Sequence, residues 1–323
     1  MSEEVTTVTV RVPHRISGFF QVVESERGRP LEDLAKVGSK GGGPALTAWG
    51  TTTVAVRGAA HKEEVGAVPV KIVVNDEDWT DSAATTQFVA SQLLSKVPRP
   101  ASVLVNHQFD LPIGCGFGAS GAGALGTAIA LSVALGLPST LNAAGKIAHV
   151  AEVMNKTGLG TVGGQLVGGL SITTEAGYPF TLDKLVVPPD LRVVCGSFGP
   201  VSTTEVLSSW EYKEKISKYG AWALEKLLRE PNVRTFMEVS REFVERVGLL
   251  DALHLDDVAE LLAVLDRVDS LGASMNQLGR SVFCFCRERQ LDGVLEAFST
   301  FRPSLKVYPL RVCHVGPELM VCT

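Results

Sequence analysis

Residues Leu111 to Gly136 read LPIGCGFGASGAGALGTAIALSVALG, with six glycines between Gly114 and Gly126 and no charged side chain. An apolar strand pattern, ASVLVNHQF, precedes the glycines, and a helix-length apolar run follows them from about Gly121 through Gly136. Strand, glycine turn and helix start together make an anion site. The N–H groups of a first helical turn lack partners, and glycine lets a phosphate approach them closely. The blander reading of the same glycines, close packing of the helix alone, stays beside it.

Several phosphate loops share this physics. A Walker-type loop ends in Gly-Lys-Ser/Thr, and GASGAGALGT contains no lysine, which excludes it. Gly116, Gly118 and Gly121 satisfy the dinucleotide spacing G-x-G-x-x-G. That fold also needs an acidic residue at the end of a second strand, about 20 residues on, to hold the ribose. Glu152 is the only acidic residue in the 64 positions between Asp110 and Glu175, and it falls in a helix pattern.

The 323 residues suffice for two domains, and 45% hydrophobic with 20% charged residues describes a globular protein. A net charge of −5 argues against nucleic acid or an anionic membrane as partner. MSEEVTTVTV lacks the basic start and apolar core of a signal peptide, and Ala122–Leu137 is too short to span a bilayer, so a cytoplasmic protein is expected. The six cysteines form no C-x-x-C pair; Cys284 and Cys286, in SVFCFC, share one strand face and are read as small buried hydrophobes.

TTVTVRV, TTTVAVRG and VPVKIVVN alternate as strands, and VGSKGGGPAL between the first two reads as a ligand-facing or surface loop. Helices are expected over 82–97 and 141–156, the second with Ile147, Val150 and Met154 buried and His149 and Glu152 on another face. TGLGTVGGQLVGGLSITT reads as loop followed by strand. Pro188-Pro189 marks a boundary between residues 187 and 190. Beyond it CGSFGPVSTTEVL reads as strand, turn and a helix cap at Ser202 or Thr203, with Glu205 near the capping-box position. Three charged amphipathic helices follow, then SVFCFC and LKVYPLRVC as strands around one more helix near 292–298.

The pattern Pro112-x-x-x-Gly116-x-Gly118-x-Ser120-x-Ala122 resembles the phosphate loop of the GHMP kinases, the superfamily of galacto-, homoserine, mevalonate and phosphomevalonate kinases. VRVPHRISGFFQV is similar to the first motif of that superfamily. With VGSKGGGPALTAWGTTT, it looks closest to the archaeal pantoate kinases, which phosphorylate pantoate for coenzyme A synthesis. The resemblance implies an α+β fold of two domains, a ribosomal-protein-S5-like domain over 1–188 and a ferredoxin-like domain over 189–323. It implies ATP and Mg²⁺ as cofactors and a small hydroxy acid as the other partner; a homodimer is compatible with it. Pro112, Gly114, Gly116, Phe117, Gly118, Ala119, Ser120 and Gly121 would hold ATP, Ser120 and Glu152 the metal, and His14, Arg15, Ser39, Lys40 and His149 the substrate.

The chain also departs from the family pattern. Thr161 stands where an aspartate usually takes the acceptor proton, so Ser120, Glu152 and Thr161 are the catalytic candidates, and threonine is no base near neutral pH. SITT, residues 171–174, lacks the arginine that grips the substrate carboxylate, a role Lys40 or Arg15 would have to fill. Phosphoryl transfer relies on positioning and charge neutralisation and can proceed without a base. A different acceptor, homoserine- or mevalonate-like, and a catalytically weak nucleotide sensor therefore remain open. LGASMNQLGRSVF is similar to the segment closing over the acceptor, and His314–Pro317 keeps only Gly316 of the third motif.

Overall fold

The computed structural model describes residues 5–58, 70–97, 101–202, 206 and 209–323. Alternating valines set the first layer: Val8, Val10 and Val12 of β1 (Val5–Arg15) are wholly buried, as period-two patterning demands. Antiparallel to it runs β5 (Gly38–Gly58), with Val5 opposite Arg57 and Arg15 opposite Ala45. The later part of β5 also pairs with β8 (Ala101–Phe109), and its start pairs with β2 (Phe19–Val23) and β9 (Leu170–Glu175). The short pair β3 (Ser25–Glu26) and β4 (Arg29–Pro30) stands apart, while β6 (Val70–Val74), β7 (Glu77–Asp78) and β10 (Thr181–Leu185) complete the large sheet.

VGSKGGGPAL is therefore strand for most of its length, not loop. Its glycines serve close backbone approach: a Cβ at Gly41 would lie 2.3 Å from Phe19 O, and one at Gly43 would lie 1.9 Å from Ile16 O.

Three helices pack beside this sheet: α1 (Ala84–Leu94), α2 (Ala119–Ala134) and α3 (Leu141–Asn155). Helix α2 begins two residues earlier than its pattern suggests, so Ser120 and Gly121 lie in its first turn. Gly126 lets α2 descend onto β5, where a Cβ would meet Thr52 Oγ1 at 2.5 Å. In α3 the buried face reverses the expectation: Ala144, Ala148, His149, Ala151 and Glu152 point inward, and Met154 is 51% exposed. The alanines and Gly145 permit closer approach than the larger side chains would, for a Cβ at Gly145 would meet Leu166 Cδ1 at 2.4 Å. A short helix, α4 (Thr161–Val167), occupies part of the segment read as loop. Its low helix propensity, with Gly163 and Gly164 inside it, hid it from sequence reading.

After Pro188-Pro189 the chain enters a four-stranded antiparallel sheet ordered β12 (Gly272–Met275), β13 (Ser281–Arg287), β11 (Leu191–Ser197), β14 (Lys306–Arg311). Helices α6 (Val233–Val247), α8 (Asp256–Leu265) and α9 (Leu291–Ser299) pack on it, α7 (Leu249–Ala252) links α6 to α8, and α5 (Trp210–Arg229) packs on β2. Cys284 and Cys286 are fully buried unpaired thiols. The last strand, β15 (Glu318–Cys322), returns to pair with β1. One core lies within the first half, from Val8 to Val162, whereas the other draws on both halves, from Ile16 to Val312. No helix among the described residues is long and apolar enough to cross a membrane. Met1–Glu4, the first residues of VPVKIVVN, and the cap residues Thr203 and Glu205 lie outside the described residues.

Candidate active site

Between β8 and α2 the loop alternates strictly. Cys115, Phe117 and Ala119 are buried at 0%, 1% and 6% exposure, whereas Gly114 is exposed and Gly116 and Gly118 are half-buried, with φ of 75°, 85° and 69°. Only glycine adopts the left-handed region freely, so these three turn the backbone while the residues between them anchor it. Gly118 is the N-cap of α2, which has no side-chain cap and no acidic residue in its first turn. The first helical bond runs from Ala122 N to Gly118 O at 3.0 Å, leaving the earlier amides without partners inside the helix. Successive left-handed turns before an uncapped helix start form a concave anion seat. Pro112 lies half-buried at its entrance.

Beside this seat Ser120 Oγ donates to Glu152 Oε1 at 2.6 Å, and Thr157 Oγ1 donates to the same oxygen at 3.0 Å. Burial pushes the Glu152 carboxyl above its ordinary value, and the two hydroxyl donors pull it partly back. The other oxygen, Oε2, lies 2.2 Å from where a Cβ on Gly158 would sit and 3.0 Å from one on Gly121. Glycine at both places leaves that oxygen room. One carboxylate with a hydroxyl beside a phosphate seat suits Mg²⁺, which keeps several waters and takes phosphate oxygens as further ligands.

Helix α4 supplies the opposite wall. Thr161 Cγ2 lies 2.7 Å from the Cβ position of Gly118 and 3.3 Å from that of Gly121, which puts Thr161 against the phosphate loop. One turn on, Gln165 Nε2 donates to Gly118 O at 2.9 Å and to Pro13 O at 3.1 Å. Two carbonyl partners fix the amide's orientation, so its fully buried Oε1 faces Gly121 and has no hydrogen-bond partner. The sequence reading missed Gln165; its signal, a polar residue in an apolar glycine-rich run, was there to find. Asn276, in LGASMNQLGRSVF, grips the loop from the other half of the chain. Its Oδ1 accepts from Ser17 N at 3.2 Å and its Nδ2 donates to Cys115 O at 3.4 Å.

The substrate-side candidates divide into two groups. Ser39 donates its N–H to Leu159 O at 3.0 Å, and its Oγ is 2.3 Å from the Cβ position of Gly160, beside the start of α4. Arg15 lies over Gly164 in the same helix, with its Nε 2.0 Å from that glycine's Cβ position. The other three are held by hydrogen bonds or an ion pair. His14 Nδ1 donates to Phe117 O at 2.9 Å, its Nε2 accepts from Leu111 N at 3.4 Å, and burial lowers its pKa, so a neutral ring braces both ends of the loop. His149 Nε2 donates to Val37 O at 2.8 Å and is likewise lowered by burial, holding the approach to Ser39. Lys40 pairs with Glu175 at 2.9 Å. Gly316 packs on the end of α4, with a Cβ position 2.1 Å from Leu166 O.

No family model matches the chain. The pantoate kinase of Thermococcus kodakarensis is 36% identical over 293 residues, covering 89% of this chain and 90% of that protein. This chain belongs to the pantoate kinase family. Among solved structures, a phosphotransferase related to the CoA biosynthesis pathway superposes with a TM-score of 0.82 at 29% identity, covering 98% of this chain and 99% of its own. The homoserine kinase of Cytophaga hutchinsonii shares the fold alone, with a TM-score of 0.66 at 18% identity and 97% of each chain covered. The pantoate kinase fold is thus an α+β GHMP kinase fold, as the glycine loop and the first motif imply.

Proposed function

We propose that this chain transfers the γ-phosphoryl group of ATP to the primary hydroxyl of pantoate, giving ADP and 4-phosphopantoate for coenzyme A synthesis. The observation that carries the reading is the loop Gly114–Gly118. Its three left-handed glycines open onto the uncapped start of α2, with the Ser120–Glu152 pair 2.6 Å apart beside it. The amides of that loop bind and orient the phosphates, and Gln165 and Asn276 keep them aimed. Glu152 and Ser120 would hold Mg²⁺, which neutralises charge on the transferred group when bound.

Transfer forms a bond from the acceptor oxygen to the γ-phosphorus and breaks the bond to the β,γ-bridging oxygen. With a loose transition state the acceptor proton needs no protein carboxylate and leaves late, to phosphate or solvent. Thr161 orients the hydroxyl, and Ser39 faces the acceptor from β5. In this reading residues 1–188 carry the nucleotide and 189–323 close against them.

The test is a phosphorylation assay with ATP, Mg²⁺ and a panel of pantoate, homoserine and mevalonate, read as ADP and as phosphorylated product by mass spectrometry. Phosphopantoate is the expected product. Nucleotide binding with no product from any acceptor would replace the kinase by a nucleotide sensor.

A further inference from the structure

Arg15 carries a charge that the protein itself does not neutralise. The residue is 5% exposed and ends β1, its N–H donating to Phe117 O of the phosphate loop at 3.1 Å. Its Nη1 donates to Ser17 Oγ at 2.8 Å, its Nη2 reaches Ser171 Oγ at 3.5 Å, and its Nε has no partner. No carboxylate among the described residues pairs with it, although 35 Asp and Glu residues are present in the chain. Burial lowers its pKa to about 10, so the guanidinium stays charged at neutral pH. Buried cations are normally paired, and an unpaired one flanked by neutral hydroxyls calls for an anion from outside. Lys40, the other cation offered by the sequence for this task, already has Glu175.

We propose that Arg15 is the carboxylate seat of the acceptor pocket, gripping the acid group of the substrate between the hydroxyls of Ser17 and Ser171. This rests on the kinase reading and adds the end of the substrate that it leaves unassigned. Gly164, against which the guanidinium lies, is three residues beyond Thr161 on α4, a rise of about 5 Å. With bonds of about 1.5 Å, a hydroxy acid with three carbons between its hydroxyl oxygen and its carboxyl carbon spans about the same distance. Pantoate has that length, and a two-carbon hydroxy acid is too short to reach both ends. The arginine missing from residues 171–174 is thus replaced from a different strand, arriving beside Ser171 from β1.

The test compares wild type with Arg15→Lys, using pantoate and its primary amide as acceptors, alongside pantoate-induced thermal shift without nucleotide. A lysine keeps the charge and loses the fork, which at a carboxylate site is not conservative. The KM for pantoate is expected to rise about tenfold or more in Arg15→Lys, with the KM for ATP within about twofold. The amide is expected to serve both proteins equally poorly, and the thermal shift to vanish in the variant. An unchanged KM for pantoate overturns the proposal. So does a rise in the KM for ATP instead, which would seat the γ-phosphate on Arg15, or an amide used by wild type as well as the acid. If Arg15→Lys does not fold, the wild-type comparison of acid with amide decides. Loss of the thermal shift in a protein that turns over no pantoate would sink the kinase reading while keeping the seat. Normal turnover by the variant would do the reverse.

Discussion

The side-chain amide of Gln165 donates to the carbonyl of Gly118 across 2.9 Å and so fastens α4 to the N-cap of α2. The same nitrogen holds Pro13 O, so removing it takes a donor from both carbonyls, of which Gly118 O keeps its helical bond from Ala122 N. Each unsatisfied buried group costs about 1–3 kcal/mol. Gln165→Leu is expected to lose about 1–3 kcal/mol of stability in urea and to raise the KM for ATP about tenfold, with a smaller effect on the KM for the acceptor.

Glu152 should show opposite effects on activity and stability. Its folded pKa is raised by burial, so the carboxyl contributes stability at low pH that is lost as pH rises through the folded pKa and the buried group ionises. Glu152→Gln cannot ionise. Without ligands it is expected to melt several degrees above wild type at pH 8, with the gap shrinking towards pH 5, while kcat falls at least about a hundredfold. Calorimetry at the two pH values and a turnover assay check both halves.

Gly118→Ala separates strain from contact. Its φ of 69° costs a side chain about 1–2 kcal/mol, and its Cβ would run into Thr161 at 2.7 Å. Gly28 has a φ of 76° with nothing within 4 Å of its Cβ position. Gly28→Ala is expected to show the stability loss with normal turnover, and Gly118→Ala to lose turnover as well, measured side by side.

His107 gives an acid limit unrelated to catalysis. Buried between Thr52 and Thr86, at 2.8 and 3.1 Å, it has its pKa lowered by burial to about 4. A histidine lowered in the fold contributes stability above its unfolded value near 6.5, and this is lost as pH falls towards 4. The fall from 6.5 to about 4 amounts to about 3 kcal/mol at the acid end. His107→Gln is expected to flatten the slope of unfolding free energy between pH 6.5 and 4, whatever it does to stability at pH 8.

The glycine loop was legible because backbone torsion leaves a direct mark on sequence: Gly114, Gly116 and Gly118 each take a left-handed φ. Glu152 was legible because it is isolated in an acid-poor stretch. The inward face of α3 was not, since Ile147, Val150 and Met154 are the more apolar residues and close packing chose the smaller alanines. Nor was the course of residues 38–44. Glycine in a turn and glycine under a crossing backbone look alike until Phe19 and Ile16 are in place above them. The sequence offers His14 and His149 as substrate contacts, yet His14 bonds Phe117 O and Leu111 N and His149 bonds Val37 O, partners brought to them by distant segments of the chain.

Strand β5 runs unbroken for 21 residues, with Ser39 near one end and Val54 beneath α2 towards the other. Under the proposed function, changes around Ser39 would alter what an incoming alcohol meets and leave the valine layer beneath α2 untouched. Acceptor choice and nucleotide grip can therefore evolve as separable traits mounted on one beam.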